Sequence, residues 1–147
     1  MWSDIPDDIE LIERKVRVKG VDINHVVTKL KGRNPEKVLV LLPGTLGSNL
    51  IKKLLKMFNK SILGSSYLDF KPQLYIFPRL LPNYRIISID PVGFGKSIPP
   101  NRNICIDMFK NDAETVHEFM KIIQIPKFSV LGTSGGGIAG MIYAIKY

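Results

Sequence analysis

The amino-acid sequence predicts an α/β fold: a mostly parallel sheet with flanking helices, entered through an N-terminal β-hairpin. Three observations carry that expectation. Short continuous apolar runs at Lys37–Leu42, Tyr84–Asp90 and Phe128–Leu131 each stop at a glycine or proline, as strands buried on both faces of a parallel sheet do. Stretches of helical periodicity follow the second and third runs. The 147 residues, 45% hydrophobic and 23% charged, suit one globular unit spanning 1–147.

In chain order, Met1–Glu10 carries Asp4, Asp7, Asp8 and Glu10, which fits neither a secretory signal nor a mitochondrial presequence. Val16–Val18 and Asp22–Lys31 read as two strands joined at Gly20, with Gly32 turning the chain afterwards. Lys37–Leu42 is the first buried strand, bounded by Pro43 and Gly44. In Asn49–Leu63, Ile51, Leu54, Leu55, Phe58 and Ile62 form one stripe and Lys52, Lys53, Lys56 and Lys60 the opposite side, a basic amphipathic helix. A helix packed on its own domain is preferred there over membrane contact through 50–63. Tyr84–Asp90 stops at Pro91. Asp107 is expected to cap a helix in which Phe109, Asp112, Ala113, Val116, Met120 and Ile123 recur, and Pro126 bars its continuation. After Phe128–Leu131, Gly136–Tyr147 reads as a helix with Ile138, Met141, Ile142 and Ile145 on one face.

Charge and cysteine content narrow the function. The net charge of +8 comes without basic clusters interleaved with aromatics, so a solvated basic surface is preferred and no nucleic-acid partner is expected. No run reaches the roughly 18 apolar residues of a membrane span. A lone cysteine, Cys105, excludes an internal disulfide and points to a reducing, cytoplasmic setting. No cofactor or metal is expected. Gly135, Gly137 and Gly140 spell a dinucleotide fingerprint, but that motif belongs after the first strand of its unit. Gly95-Lys96-Ser97 imitates the end of a P-loop, yet Asp90 stands where that motif needs its first glycine.

Gly132-Thr133-Ser134-Gly135-Gly136 lies between a strand and a helix and is a G-x-S-x-G match. A serine on so sharp a turn has strained backbone angles, and side chains two residues before and after it would collide. Glycines there remove the collision and raise the hydroxyl above the sheet edge. The Gly135 N–H, at the start of the next helix, can donate to a developing oxyanion.

With Leu42–Ser48 and Asp90–Ser97 preceding this turn, the chain resembles the α/β-hydrolase superfamily, and within it the valacyclovir hydrolase (biphenyl hydrolase-like) family. The likeness covers most of the sequence from Val16 onward, including Leu41–Ser48, Asp69–Leu74, Ile89–Pro100 and Val130–Ala139. It implies a serine hydrolase of carboxylic esters, amino-acid esters in particular, acting through an acyl-enzyme. Ser134 would be the nucleophile; the Gly135 N–H and one from Thr45 or Leu46 would form the oxyanion hole, each donor worth about 3 kcal/mol. The family's triad acid and histidine follow the serine, so the resemblance implies the N-terminal half of the fold, truncated after the nucleophile helix. His25, in the hairpin, and His117, mid-helix, are expected to be partly exposed structural residues. Turnover without a base should be slight. The family places an acid directly after the serine where this sequence has Gly135, and residues 49–66 stand as an insertion. An open sheet edge and an exposed helix face should then promote self-association. The alternative is a non-catalytic half-domain that binds a ligand or partner through that edge.

Overall fold

The computed structural model describes residues 4–44 and 66–147, the side chains of Tyr67 and Leu68 excepted. Five strands form one sheet in the order β1-β2-β4-β3-β5, where β1 is Ile9–Val18, β2 Val21–Leu30, β3 Lys37–Leu42, β4 Tyr84–Ile89 and β5 Ser129–Gly132. The β1–β2 and β2–β4 pairings are antiparallel; β4–β3 and β3–β5 are parallel. Among the described residues three helices flank the sheet: α1 (Lys71–Leu80, after a single 3-10 turn at Tyr67–Phe70), α2 (Met108–Ile122) and α3 (Gly135–Lys146).

Side chains alternate across the sheet and build two apolar layers. Val38, Val40 and Leu42 of β3 face α2 with Ile87, Ile89, Val116, Phe119 and Met120. Leu39 and Leu41 face the other way, onto Phe70, Leu74 and Ile86 beside α1. Both faces of β3 are covered, hence its unbroken apolar sequence. Each fully buried Leu or Ile contributes roughly 1.5–3 kcal/mol.

The hairpin turns at Lys19 (φ 47) and Gly20 (φ 83), two left-handed residues that match the twist of paired strands. β1 is longer than its sequence suggests. It begins at Ile9, which is fully buried, but it is an edge strand, and Glu10, Glu13, Arg14 and Lys15 interrupt its apolar pattern. Asp107 sits at the head of α2 but its side chain makes no capping hydrogen bond; its carbonyl accepts from the Asn111 N–H at 2.9 Å instead. Helix α1 has no counterpart among the sequence expectations. Pro72 and Pro78 argue against a helix, but Pro72 falls in the first turn, where no N–H is needed, and Pro78 falls near the end.

Helix α3 buries its small face, Gly135, Gly136 and Ala139, and leaves Ile138, Met141 and Ile145 exposed. A Cβ at Gly140 would stand 3.1 Å from Val130 Cγ1, so the glycines set how closely α3 lies on the sheet. Residues 45–65, with Thr45, Leu46 and the basic helix expected over 49–66 (Ser66 apart), lie outside the described residues. No described helix is long and apolar enough to cross a membrane.

Candidate active site

At the C-terminal end of β5 the chain turns through Thr133 and Ser134 directly into α3. Ser134 has φ 51 and ψ −122, a conformation that L-residues adopt only under constraint, at a cost of about 1–3 kcal/mol. The constraint is a set of short backbone bonds. Thr133 N–H donates to Leu42 O at 3.1 Å, Gly136 N–H to Thr133 O at 2.9 Å, and Gly137 N–H to Ser134 O at 2.9 Å. A Cβ at Gly132 would strike the Gly136 carbonyl, and one at Gly136 would strike the Leu42 carbonyl. The two glycines are therefore required by backbone-to-backbone approach, as the motif's spacing suggests.

The turn lifts Thr133 and Ser134 into exposure while Gly135 and Gly136 are buried. Among the described residues no backbone carbonyl accepts the Gly135 N–H. It points from the positive end of a 12-residue helix. The exit of β3 comes close on the other side: a Cβ at Gly44 would lie 3.3 Å from Ser134 Cβ and 3.8 Å from Oγ. Thr45 and Leu46 follow directly. Gly44, in the first motif of the sequence, thus brings the exit of β3 beside the serine. Behind the elbow, between Pro91, Thr115, Val116 and Ala139, lies an apolar void of about 20 Å³, too small for a substrate.

The neighbouring loop, after β4, is closed on itself. Asp90 is fully buried, and its Oδ2 accepts from Asn24 Nδ2 at 3.0 Å and from the Lys96 N–H at 2.9 Å. Ser97 Oγ accepts from the Asn24 N–H and donates to Asp90 O, both at 2.9 Å. Arg102 grips Asp112 of α2 through two 2.6 Å bonds and donates to Val92 O at 3.2 Å, fixing the loop against the helix. Asp90 thus serves as a structural anchor. Its partner Asn24 is 66 residues away in sequence, so no local pattern could reveal it.

Neither histidine stands at the elbow. His117 stacks on Tyr147 at 3.8 Å, at the far end of α3. His25 is on β2, which β4 and β3 separate from β5. It is more buried than its place in an amphipathic hairpin suggests, at 5% exposure, and meets Phe119 edge-on at 4.9 Å. That burial pushes its pKa below the ordinary 6.5.

A strained serine between strand and helix, at the C-terminal edge of a sheet with helices on both faces, is the arrangement of an α/β hydrolase. A profile of the alpha/beta hydrolase fold family matches residues 37–147, and the chain belongs to that family. It is similar to the serine hydrolase BPHL (biphenyl hydrolase-like) of Homo sapiens, 36% identical over 133 residues, which cover 90% of this chain and 38% of the human protein. The Mus musculus counterpart is 33% identical over the same coverage. The chain thus spans under two-fifths of the length of these relatives. Among solved structures, the 2-hydroxy-6-oxo-6-phenylhexa-2,4-dienoate hydrolase of a Rhodococcus species superposes with a TM-score of 0.67 at 20% identity, covering 94% of this chain and 42% of that one, which shows the shared fold.

Proposed function

We propose that this chain carries the nucleophile and oxyanion-binding part of a serine hydrolase that cleaves carboxylic esters. The observation that carries the reading is the exposed Ser134 hydroxyl on a left-handed elbow, with the Gly135 N–H beside it. Ser134 Oγ attacks the ester carbonyl and yields its proton to a base. Negative charge collects on the carbonyl oxygen, where the Gly135 N–H and one from Thr45 or Leu46 hold it. The tetrahedral adduct expels the alcohol, which takes up the proton, and water then releases the acid from the acyl-serine. The two histidines of the sequence are the wrong ones for the base, given their places in the fold. The proposed reaction therefore draws its base and acid from outside the described residues, and this chain alone acylates without efficient turnover. Gly135 offers no carboxylate to hold an ammonium group, which favours plain carboxylic esters over amino-acid esters.

A p-nitrophenyl ester tests the reading. The expected result is slow release of nitrophenol up to one equivalent per protein, with the acyl group on Ser134, lost in Ser134→Ala. Ester cleavage undiminished in Ser134→Ala refutes it.

A second reading rests on the exposed Ile138 (39%), Met141 (61%) and Ile145 (88%) of α3, beside the four-residue edge strand β5. On that reading the β5 edge and this face associate with another polypeptide, a second copy included. Light scattering should show concentration-dependent oligomers that Met141→Lys with Ile145→Lys disperses. An oligomer indifferent to both changes excludes this face.

A further inference from the structure

The face of the sheet on the α2 side is not covered over its whole width. Beside Ile123 and Ile125, which follow α2, it opens into a cleft of about 330 Å³ over β1, β2 and β4. Its floor is Ile12 of β1, Val27 of β2 and Ile87 of β4, one residue from each of three adjacent strands in direct register. Ile123 and Ile125, where the chain leaves α2, form an apolar wall. The rest of the lining is polar, three cations (Arg14, Lys29 and Arg85) with the carboxylate of Glu10 and the imidazole of His25.

These cations are not equally engaged. Lys29 pairs with Glu10 at 3.3 Å, so the two largely cancel. No ion pair or hydrogen bond of the Arg14 or Arg85 guanidinium is formed with a described residue. His25 lines the same cleft, nineteen-twentieths buried, and its Nδ1 has no hydrogen-bond partner among the described residues. A buried polar nitrogen without a partner costs about 1–3 kcal/mol, and with no accessible surface this one stays beneath the floor. The site therefore combines an apolar floor with a guanidinium group towards each end, Arg14 in the row of His25 and Ile89 and Arg85 four residues before Ile89, neither of them paired with a described carboxylate.

We propose that this cleft binds a small amphiphilic carboxylate, its hydrocarbon body lying on Ile12, Val27 and Ile87 and its carboxylate held by Arg14 or Arg85. The floor rules out a fully hydrated anion as the best occupant, because burying it against three aliphatic side chains would strip water without compensation. Guanidinium groups match a carboxylate's two oxygens, and a partly apolar surround strengthens such a pair over one in open water. The cleft lies over β1, β2 and β4, and Ser134 follows β5 on the far side of β3, so this site is independent of the proposed nucleophile.

The test is titration of the protein with octanoate, followed by amide ¹H–¹⁵N spectra. Octanoate is expected to shift the signals of Arg14, His25, Val27 and Arg85, and the neutral octanamide to bind about tenfold or more weakly. Arg14→Gln with Arg85→Gln should erase the preference for the acid over the amide. Val27→Phe, which fills the floor and leaves the charges, should abolish binding of both. Comparison of acid with amide uses the unaltered protein, so it decides the matter even where a variant folds poorly. Equal affinity for octanamide, shifts confined to the residues around Ser134, or no saturable shift at all overturns the proposal.

Discussion

Ser97 and Ser134 sit in glycine-rich loops that leave the same end of the sheet, on strands separated only by β3, and they meet opposite fates. Ser97 is fully buried, its hydroxyl spent on Asn24 and Asp90. Ser134 is exposed at φ 51, with its carbonyl tied down and its hydroxyl left out. The glycines differ in the same sense. Gly95 leaves space for the Asp90 carboxylate, whereas Gly132 and Gly136 leave space for main chain. One loop uses small residues to close a polar knot; the other uses them to bend the chain until a side chain must point outward. A glycine-rich loop with a serine at a strand end is thus no evidence of chemistry until one knows what its glycines make room for.

That contrast can be broken by substitution, and the expected effects fall in order. Gly136→Ala sets a Cβ against the Leu42 carbonyl with no flexible side chain to yield, so it should cost about 3 kcal/mol or more in denaturant unfolding. An unchanged midpoint contradicts the elbow geometry. Asp90→Ala removes the acceptor of the Lys96 N–H and leaves the Asn24 amide with Glu13 alone, at an expected loss of about 3 kcal/mol. Ser97→Ala, which removes one acceptor and one donor from the same knot, should lose about 2 kcal/mol. Ser134→Gly runs the other way. It relieves a left-handed residue and should raise stability by about 1 kcal/mol in the same assay, while removing the hydroxyl.

The smallest effect is in pH. Burial holds the pKa of His25 below 6.5, so as pH falls the unfolded chain takes up its proton first. The contribution of this group is complete above pH 6.5 and declines below it. His25→Gln should flatten that decline in a pH series of melting temperatures, and a series with the same slope would show that the acid sensitivity arises elsewhere.

The elbow was legible in the sequence because its constraint is local: Gly132 and Gly136 flank Ser134 at the spacing that sterics demand, between a strand and a helix. Lys37–Leu42 was legible for a similar reason, since burial on both faces leaves no polar position. The anchors were not. Asn24 meets Asp90 across β2 and β4, and Arg102 meets Asp112 from a loop to a helix; only the folded topology brings these together. Charges along β1 hid its first half because edge strands tolerate them. Prolines hid α1 because their harm depends on their turn within the helix. At Asp107 a residue of the right type stood at a helix start without making the cap.

The most direct measurement is peptide-resolved mass spectrometry after exposure of the folded protein to a fluorophosphonate. The account predicts a covalent adduct on Ser134 that accumulates slowly, is absent from Ser97, and disappears on denaturation before exposure. Adducts spread evenly over the serines, or a folded protein in which Ser134 stays unmodified while another serine reacts, would contradict it.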